Sequence, residues 1–221
     1  MVPGLLMNNF ANALLLVYAA LFPIINPIGS APLFLGLTEF ATAQQRNRLA
    51  ARVALNSLFL LLGSMFIGSH VLEFFGISLP VVRVGGGLVV TAFGWKLLNS
   101  ETPDGSRADT GSVKTVPESF YPLTMPLTVG PGSISVAISL GSQRPKGDTL
   151  AELMQLGGAA LAGVVAIVVT VYLCYRFAQR LIGILGPSGT HVVVRLSAFI
   201  LVCIGIQILW SGWSELSAIH P

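Results

Sequence analysis

Two short stretches place polar groups and helix-breaking residues inside otherwise uncharged, apolar sequence. One is Asn26, Pro27, Gly29 and Ser30; the other is Thr128, Gly130, Pro131, Gly132 and Ser133. Neither holds an acid, a base or a nucleophile. Their chemistry is therefore non-covalent. Pro and Gly interrupt a helix and free backbone N–H and C=O groups, and Ser, Thr and Asn supply further donors and acceptors. A restarting helix presents free N–H groups and the positive end of its dipole, which suits a small anionic group such as a carboxylate. The Gly29-Ser30 and Gly132-Ser133 pairs read as a flexible joint followed by an N-cap serine, so second half-helices are expected to start near Ser30 and Ser133. Asn26, Pro27, Gly29, Ser30, Thr128, Gly130, Gly132 and Ser133 are the candidate substrate-binding residues. Asn26 and Thr128, which flank the breaks, are suited to fixing orientation or binding an ammonium group.

The surroundings are those of a membrane protein. The chain has 221 residues, 53% hydrophobic and 10% charged, against about 25% charged in soluble domains. Met1 to Thr38 contains no Asp, Glu, Lys, Arg or His. A bilayer crossing needs about 20 apolar residues, and six segments qualify: 10–37, 49–72, 79–98, 119–141, 150–175 and 192–213. The expected fold is all-α and polytopic, a single membrane domain over 1–221. Its halves are a three-span repeat over 1–98 and another over 119–213, joined by the polar connection 99–118. The first apolar segment lacks a basic leader and is expected to stay in the mature chain.

Lys and Arg set the orientation. Connections one, three and five hold Arg46, Arg48, Arg52, Lys96, Arg107, Lys114, Arg176, Arg180 and Arg195. The other side holds Arg83, Arg144 and Lys146. This asymmetry makes the odd connections cytoplasmic and puts both termini outside.

Shifted by 103 residues, PIINPIGSAPLFLGL (23–37) lies on PLTVGPGSISVAISL (126–140) with four identities. Further on, LPVVRVGGGLVV (79–90) matches HVVVRLSAFILV (191–202), placing Arg83 on Arg195. Three spans per repeat is an odd number, so the second copy must run inverted. Discontinuous first and fourth helices in such a pair are the sequence pointer to a transport site. Arg83 and Arg195 suit snorkelling, a gate, or a structural pairing with Glu73 or another acid. The glycines at 85–87 invite close approach by another helix. Asn12, Asn56, Thr91, Ser135, Gln155 and Gln207 are expected to serve mainly as interhelical hydrogen-bonding groups. His70, His191 and His220 read as interfacial, and Cys174 and Cys203 as reduced packing residues.

Several classes find no support. There is no phosphate-binding loop, no metal-ligand cluster and no nucleophilic triad, so neither an enzyme nor a cofactor is expected. The formal charge of +3 resides in loops and does not suggest a nucleic-acid surface. No Asp or Glu lies mid-span, so a proton carrier is not evident, and the coupling ion, proton or sodium, stays open along with the oligomeric state.

The stretches NPIGSAPLFLGLT (26–38), GISLPVVRVGGGLVV (76–90), PLTMPLTVGPGSI (122–134) and RLSAFILVCIGIQ (195–207) together resemble the MarC family of bacterial and archaeal inner-membrane proteins, also called the neutral amino acid transporter family. The resemblance implies six spans in the cytoplasmic membrane and transport of small neutral amino acids such as glycine and alanine. Its motif positions here are Asn26, Pro27, Gly29, Pro32, Pro126, Gly130, Pro131 and Gly132. The reading that follows is a secondary transporter working by alternating access. A passive channel for small polar solutes and a non-transporting scaffold or stress-related protein are the alternatives.

Overall fold

The computed structural model describes residues 3–99, 116–142 and 150–219. Most of the connection 99–118 and the loop 143–148 thus lie outside the described residues. The elements are α1 (Pro3–Ile25), α2 (Pro27–Leu37), α3 (Ala43–Phe74), α4 (Leu79–Asn99), a π-helical turn (Leu123–Thr128), α5 (Pro131–Ser142), α6 (Leu150–Arg176) and α7 (Ala178–Ile219). No strand occurs among the described residues, which confirms the all-helical class.

Local chemistry explains where the long helices begin and end. Thr42 and Gln45 form a reciprocal capping box at the start of α3: Thr42 N donates to Gln45 Oε1 at 2.8 Å and Gln45 N donates to Thr42 Oγ1 at 3.3 Å. Two orphan donors are satisfied at once. At the other end, Gly76 takes φ 66°, the left-handed conformation in which a Cβ is costly. Its N–H bonds Glu73 O and the next N–H, of Ile77, bonds Leu72 O, a Schellman closure. α7 bends at Gly186, where φ is 68° and ψ is 174°.

Four helices are long and apolar enough to cross a membrane: Ala43–Phe74, Leu79–Asn99, Leu156–Arg176 and Ser188–Ala218. A fifth crossing arises if Phe10–Ile25 and Pro27–Leu37, bent by 42° at Asn26, act as one span. The segment expected as a fourth span, 119–141, takes a different form. It divides into the π-helical turn and a 12-residue α5. At 1.5 Å per residue α5 is about 18 Å long, well short of a ~30 Å hydrocarbon core. The reason is local: Met125 leaves helical geometry, and Pro126 inside the turn has no N–H to donate.

The largest apolar core joins α1, α2, α3, α5 and α6 around Leu21, Phe34, Leu61, Val164 and Tyr175. A second core joins α4 to α7 through Val90, Leu97, Val194, Ala198 and Leu201. Small residues make that pairing possible. A Cβ on Gly87 would lie 2.5 Å from Leu209 N, and one on Gly94 would lie 2.9 Å from Val202 N. Gly205 and Gly212 of α7 meet α4 as tightly. Lipid tails are as apolar as side chains, so close packing rather than burial from water must hold this pair together.

The glycine triplet separates these roles. Gly86 abuts Ser135 of α5 and Gly87 abuts the α7 backbone, whereas a Cβ on Gly85 would meet nothing within 4 Å. Gly87→Ala is expected to destabilise the protein by about 1–3 kcal/mol through overpacking. Gly85→Ala is expected to be neutral or to stabilise by up to about 1 kcal/mol. Thermal unfolding of the two variants in detergent, compared side by side, checks the contrast.

Candidate functional site

The first break is a built feature. Asn26 has φ 47° and ψ 59°, a left-handed conformation that Asn tolerates better than most residues. Its side chain caps α2, with Oδ1 accepting from Gly29 N at 3.2 Å, while its carbonyl accepts from Ser30 N at 2.9 Å. Pro27 follows at the first helical position, where its missing N–H costs nothing. Gly29 is required by space: a Cβ there would collide with the Asn26 side chain. Ser30 is therefore not the cap. It sits inside the first turn and donates to Ile25 O at 3.3 Å. The helix starts three residues before Ser30, because Asn26 adopts the left-handed conformation and captures the capping position.

The second break is repaired by its own threonine hydroxyls, which distant side chains hold in place. Thr128 Oγ1 donates to Leu123 O at 2.7 Å and lies 2.8 Å from the Tyr175 hydroxyl. Thr124 Oγ1 donates to Ser119 O at 2.7 Å and accepts from Asn56 Nδ2 at 3.3 Å. α5 then starts at Pro131. Ser133 lies in its first turn, again not at the cap, and donates to Gly130 O at 2.9 Å. The helix starts, Pro27 and Pro131, stand 104 residues apart rather than 103. Val129 is extended and has no counterpart of the Asn26 cap.

Both breaks open onto one cavity of about 60 Å3, several times the ~10–15 Å3 that a single water needs. Asn26, Ser30, Thr128, Gly130, Gly132 and Ser133 line it, and Val90, Phe93 and Leu201 close its apolar side. Pro27 and Gly29 are buried but form no part of the wall; they build the cap instead. Gly132 admits α4, since a Cβ there would collide with Val90.

The two half-helix N-termini are not equivalent. In α2, Asn26 already occupies the Gly29 N–H. In α5, the first intrahelical bond runs from Ile134 N to Gly130 O at 3.1 Å. The N–H groups of Gly132 and Ser133 precede it and have no intrahelical acceptor. Open donors thus concentrate on the α5 side.

Tyr175 was not among the expected site residues. It is fully buried, stacks on Phe34 with centroids 4.3 Å apart, and places its hydroxyl 2.8 Å from Thr128 Oγ1. One side chain therefore ties α6 to α2 through its ring and to the second break through its hydroxyl. In the sequence, the one hint is a polar-tipped aromatic at the end of an apolar run.

Arg83 and Arg195 part company. Arg83 Nε and Nη2 donate to Ser139 Oγ at 3.2 and 2.7 Å, and Nη1 pairs with Glu215 rather than Glu73. A further cavity of about 350 Å3 adjoins this group. Arg195 is exposed and takes no part in it. Gln207 lines that cavity, Asn12 is exposed, and the Gln155 side chain lies outside the described residues. Among the described residues no three His, Cys, Asp or Glu side chains converge as a metal site would require.

Tyr175→Phe removes one hydroxyl and leaves the ring stack intact. Loss of the buried bond to Thr128 is expected to cost about 1–3 kcal/mol. Tyr172→Phe, whose hydroxyl serves an exposed Arg176, is expected to change stability by less than about 0.5 kcal/mol. Paired thermal unfolding measurements distinguish the two.

Comparison with known proteins agrees with this geometry at the level of family. The model of the MarC family integral membrane protein matches residues 11–217. The UPF0056 inner membrane protein MarC of Salmonella typhimurium is 29% identical over 217 residues, covering 95% of this chain and 98% of the relative. The protein of the same name from Escherichia coli strain UTI89 is 29% identical over 218 residues with the same coverage. No solved structure matches. With several apolar spans and inner-membrane relatives along nearly its whole length, this multi-pass inner-membrane chain belongs to the MarC family of integral membrane proteins.

Proposed function

We propose that the protein is a secondary transporter of small neutral amino acids of glycine or alanine size, working by alternating access. The observation that carries this reading is the meeting of two helix breaks at one small, partly open cavity. A polar solute there finds charge complementarity at both ends. Its carboxylate faces the N–H groups of Gly132 and Ser133 at the positive end of α5. Its ammonium faces the carbonyl end of α1 at Ile24 and Ile25, which also line the cavity. Asn26, Ser30 and Thr128 supply side-chain hydrogen bonds. Val90, Phe93 and Leu201 present an apolar wall to the substrate side chain.

The surroundings support two alternating routes of access. Gly68 abuts Ile138 and Gly141 abuts Met65, so the Arg83–Ser139–Glu215 group lies toward the C-terminal end of α3. A cavity of about 250 Å3 lies at the other end of that helix, beside Ala43, Arg46 and Tyr175. Arg46 and Met65 are about 28 Å apart along the helix axis. The small cavity thus has a larger one toward each end, with the Arg83 ion pair as one barrier and the Tyr175–Thr128 pair as the other.

Helix contacts favour the inverted repeat of 1–98 and 119–213. Exchanging α2 with α5, α3 with α6 and α4 with α7 turns the α3–α5 contact into α6–α2, and α4–α5 into α7–α2; all four are present. The α3–α6 and α4–α7 contacts map onto themselves. With the Lys and Arg asymmetry, this reading puts the Arg46 end in the cytoplasm and both termini outside.

Purified protein in liposomes is expected to take up labelled glycine and alanine saturably, with competition by small but not bulky amino acids. Imposed proton and sodium gradients identify the driving ion. Asn26→Gly keeps the backbone conformation and deletes the side chain; it is expected to lower uptake about tenfold or more, the effect of one lost hydrogen bond to a charged group. Absence of saturable uptake by folded wild-type protein would refute the proposal.

A further inference from the structure

We infer a second binding site, for a phosphate group, where the start of α3 meets the junction of α6 and α7. The cavity there, of about 250 Å3, is lined by Arg46, Arg176 and Arg180 together with the amide side chains of Asn47 and Gln179. No carboxylate lines it among the described residues. Three guanidinium groups with no counter-charge in one cavity repel each other, and an anion relieves that repulsion. The guanidinium fork matches phosphate oxygens two at a time, which an ammonium cannot do.

Arg46 supplies the most specific observation. Its Nη2 donates to Thr38 O and to Ala41 O, each at 3.2 Å, which fixes the group against the turn after α2. Its Nε is buried and has no hydrogen-bond partner. A buried charged donor left unpaired is costly, so the Arg46 guanidinium lacks one acceptor. Arg176 and Arg180 stand at the lip, 5.9 and 5.6 Å from the centre of the exposed Phe177 ring. An aromatic ring flanked by arginines at the end of apolar helices lies at headgroup depth in a bilayer, and basic pockets between helices at that depth bind anionic headgroups.

The site is distinct from the small cavity between the breaks. Its cationic lining retains a phosphate mono- or diester, which brings negative charge alone, and does not retain a net-neutral zwitterion passing to the small cavity. Two sources share that chemistry, an anionic lipid headgroup and free phosphate. Binding here is read without any transport assay, so it stands or falls independently of the proposed substrate.

The test uses the full chain in phosphatidylcholine nanodiscs and measures the melting temperature. One arm adds inorganic phosphate against chloride at equal ionic strength; the other replaces part of the lipid with phosphatidylglycerol. At tenfold excess over Kd a rise of about 4 °C is expected. A rise with inorganic phosphate identifies a free-phosphate site, and a rise with phosphatidylglycerol alone identifies a headgroup site. Arg176→Gln/Arg180→Gln should abolish the rise; Arg48→Gln/Arg52→Gln, exposed arginines outside the cavity, should keep it. Should the first double variant not fold, Arg180→Gln alone takes its place. No rise in either arm, a rise that survives loss of Arg176 and Arg180, or equal loss in both double variants would overturn the inference.

Discussion

Backbone hydrogen bonding in a water-poor surrounding is the constraint on which this structure rests. A helix that breaks inside a membrane protein releases N–H and C=O groups, each costing several kcal/mol if left unpaired in hydrocarbon. The two breaks answer that demand differently. At Asn26 the repair is local, made by one side chain and one carbonyl within four residues. Between Leu123 and Thr128 two threonine hydroxyls bond the carbonyls of Ser119 and Leu123, and Asn56 from α3 and Tyr175 from α6 bond those hydroxyls in turn. The threonine hydroxyls of the second segment are thereby tied to α3 and α6, which the first break has no counterpart for.

That difference carries over to the cavity. Because α2 is closed by its own cap, while α5 begins with a proline and two uncommitted N–H groups, the pocket is polar in one direction. Its apolar side exists because α4 comes close. Gly132 admits Val90 and Gly86 admits Ser135, so α4 packs on α5 at backbone distance. Ser135 then donates to Val82 O at 3.1 Å, and the Arg83–Ser139–Glu215 group holds α4, α5 and α7 together one to two turns further along. Small residues thus set the cavity's size, and polar residues set its direction.

Much of the site was legible because its residues act through short-range geometry. Pro, Gly, Asn and Ser interrupt and cap helices wherever they occur, so both breaks and six of the eight candidate wall residues follow from local reading. The first residue of each half-helix was harder. Asn26 and Ser30 are both competent caps, and the choice depended on Asn26 entering the left-handed region with an empty side at Gly29. The same local chemistry explains why 119–141 is no simple span.

By itself the sequence determined the membrane class, the all-helical character, the family and the positions of the breaks, since hydropathy, proline and glycine impose these within a few residues of the chain. Tertiary structure alone decided which groups complete the site. Tyr175 meets Thr128 across 47 residues and Arg83 meets Glu215 across 132. Nothing local distinguishes Glu215 from Glu73 as the partner of Arg83, or Tyr175 from the neighbouring Tyr172. Such pairings follow from how α4, α6 and α7 pack, and that packing depends on which glycines face which backbone, a relation between distant parts of the chain.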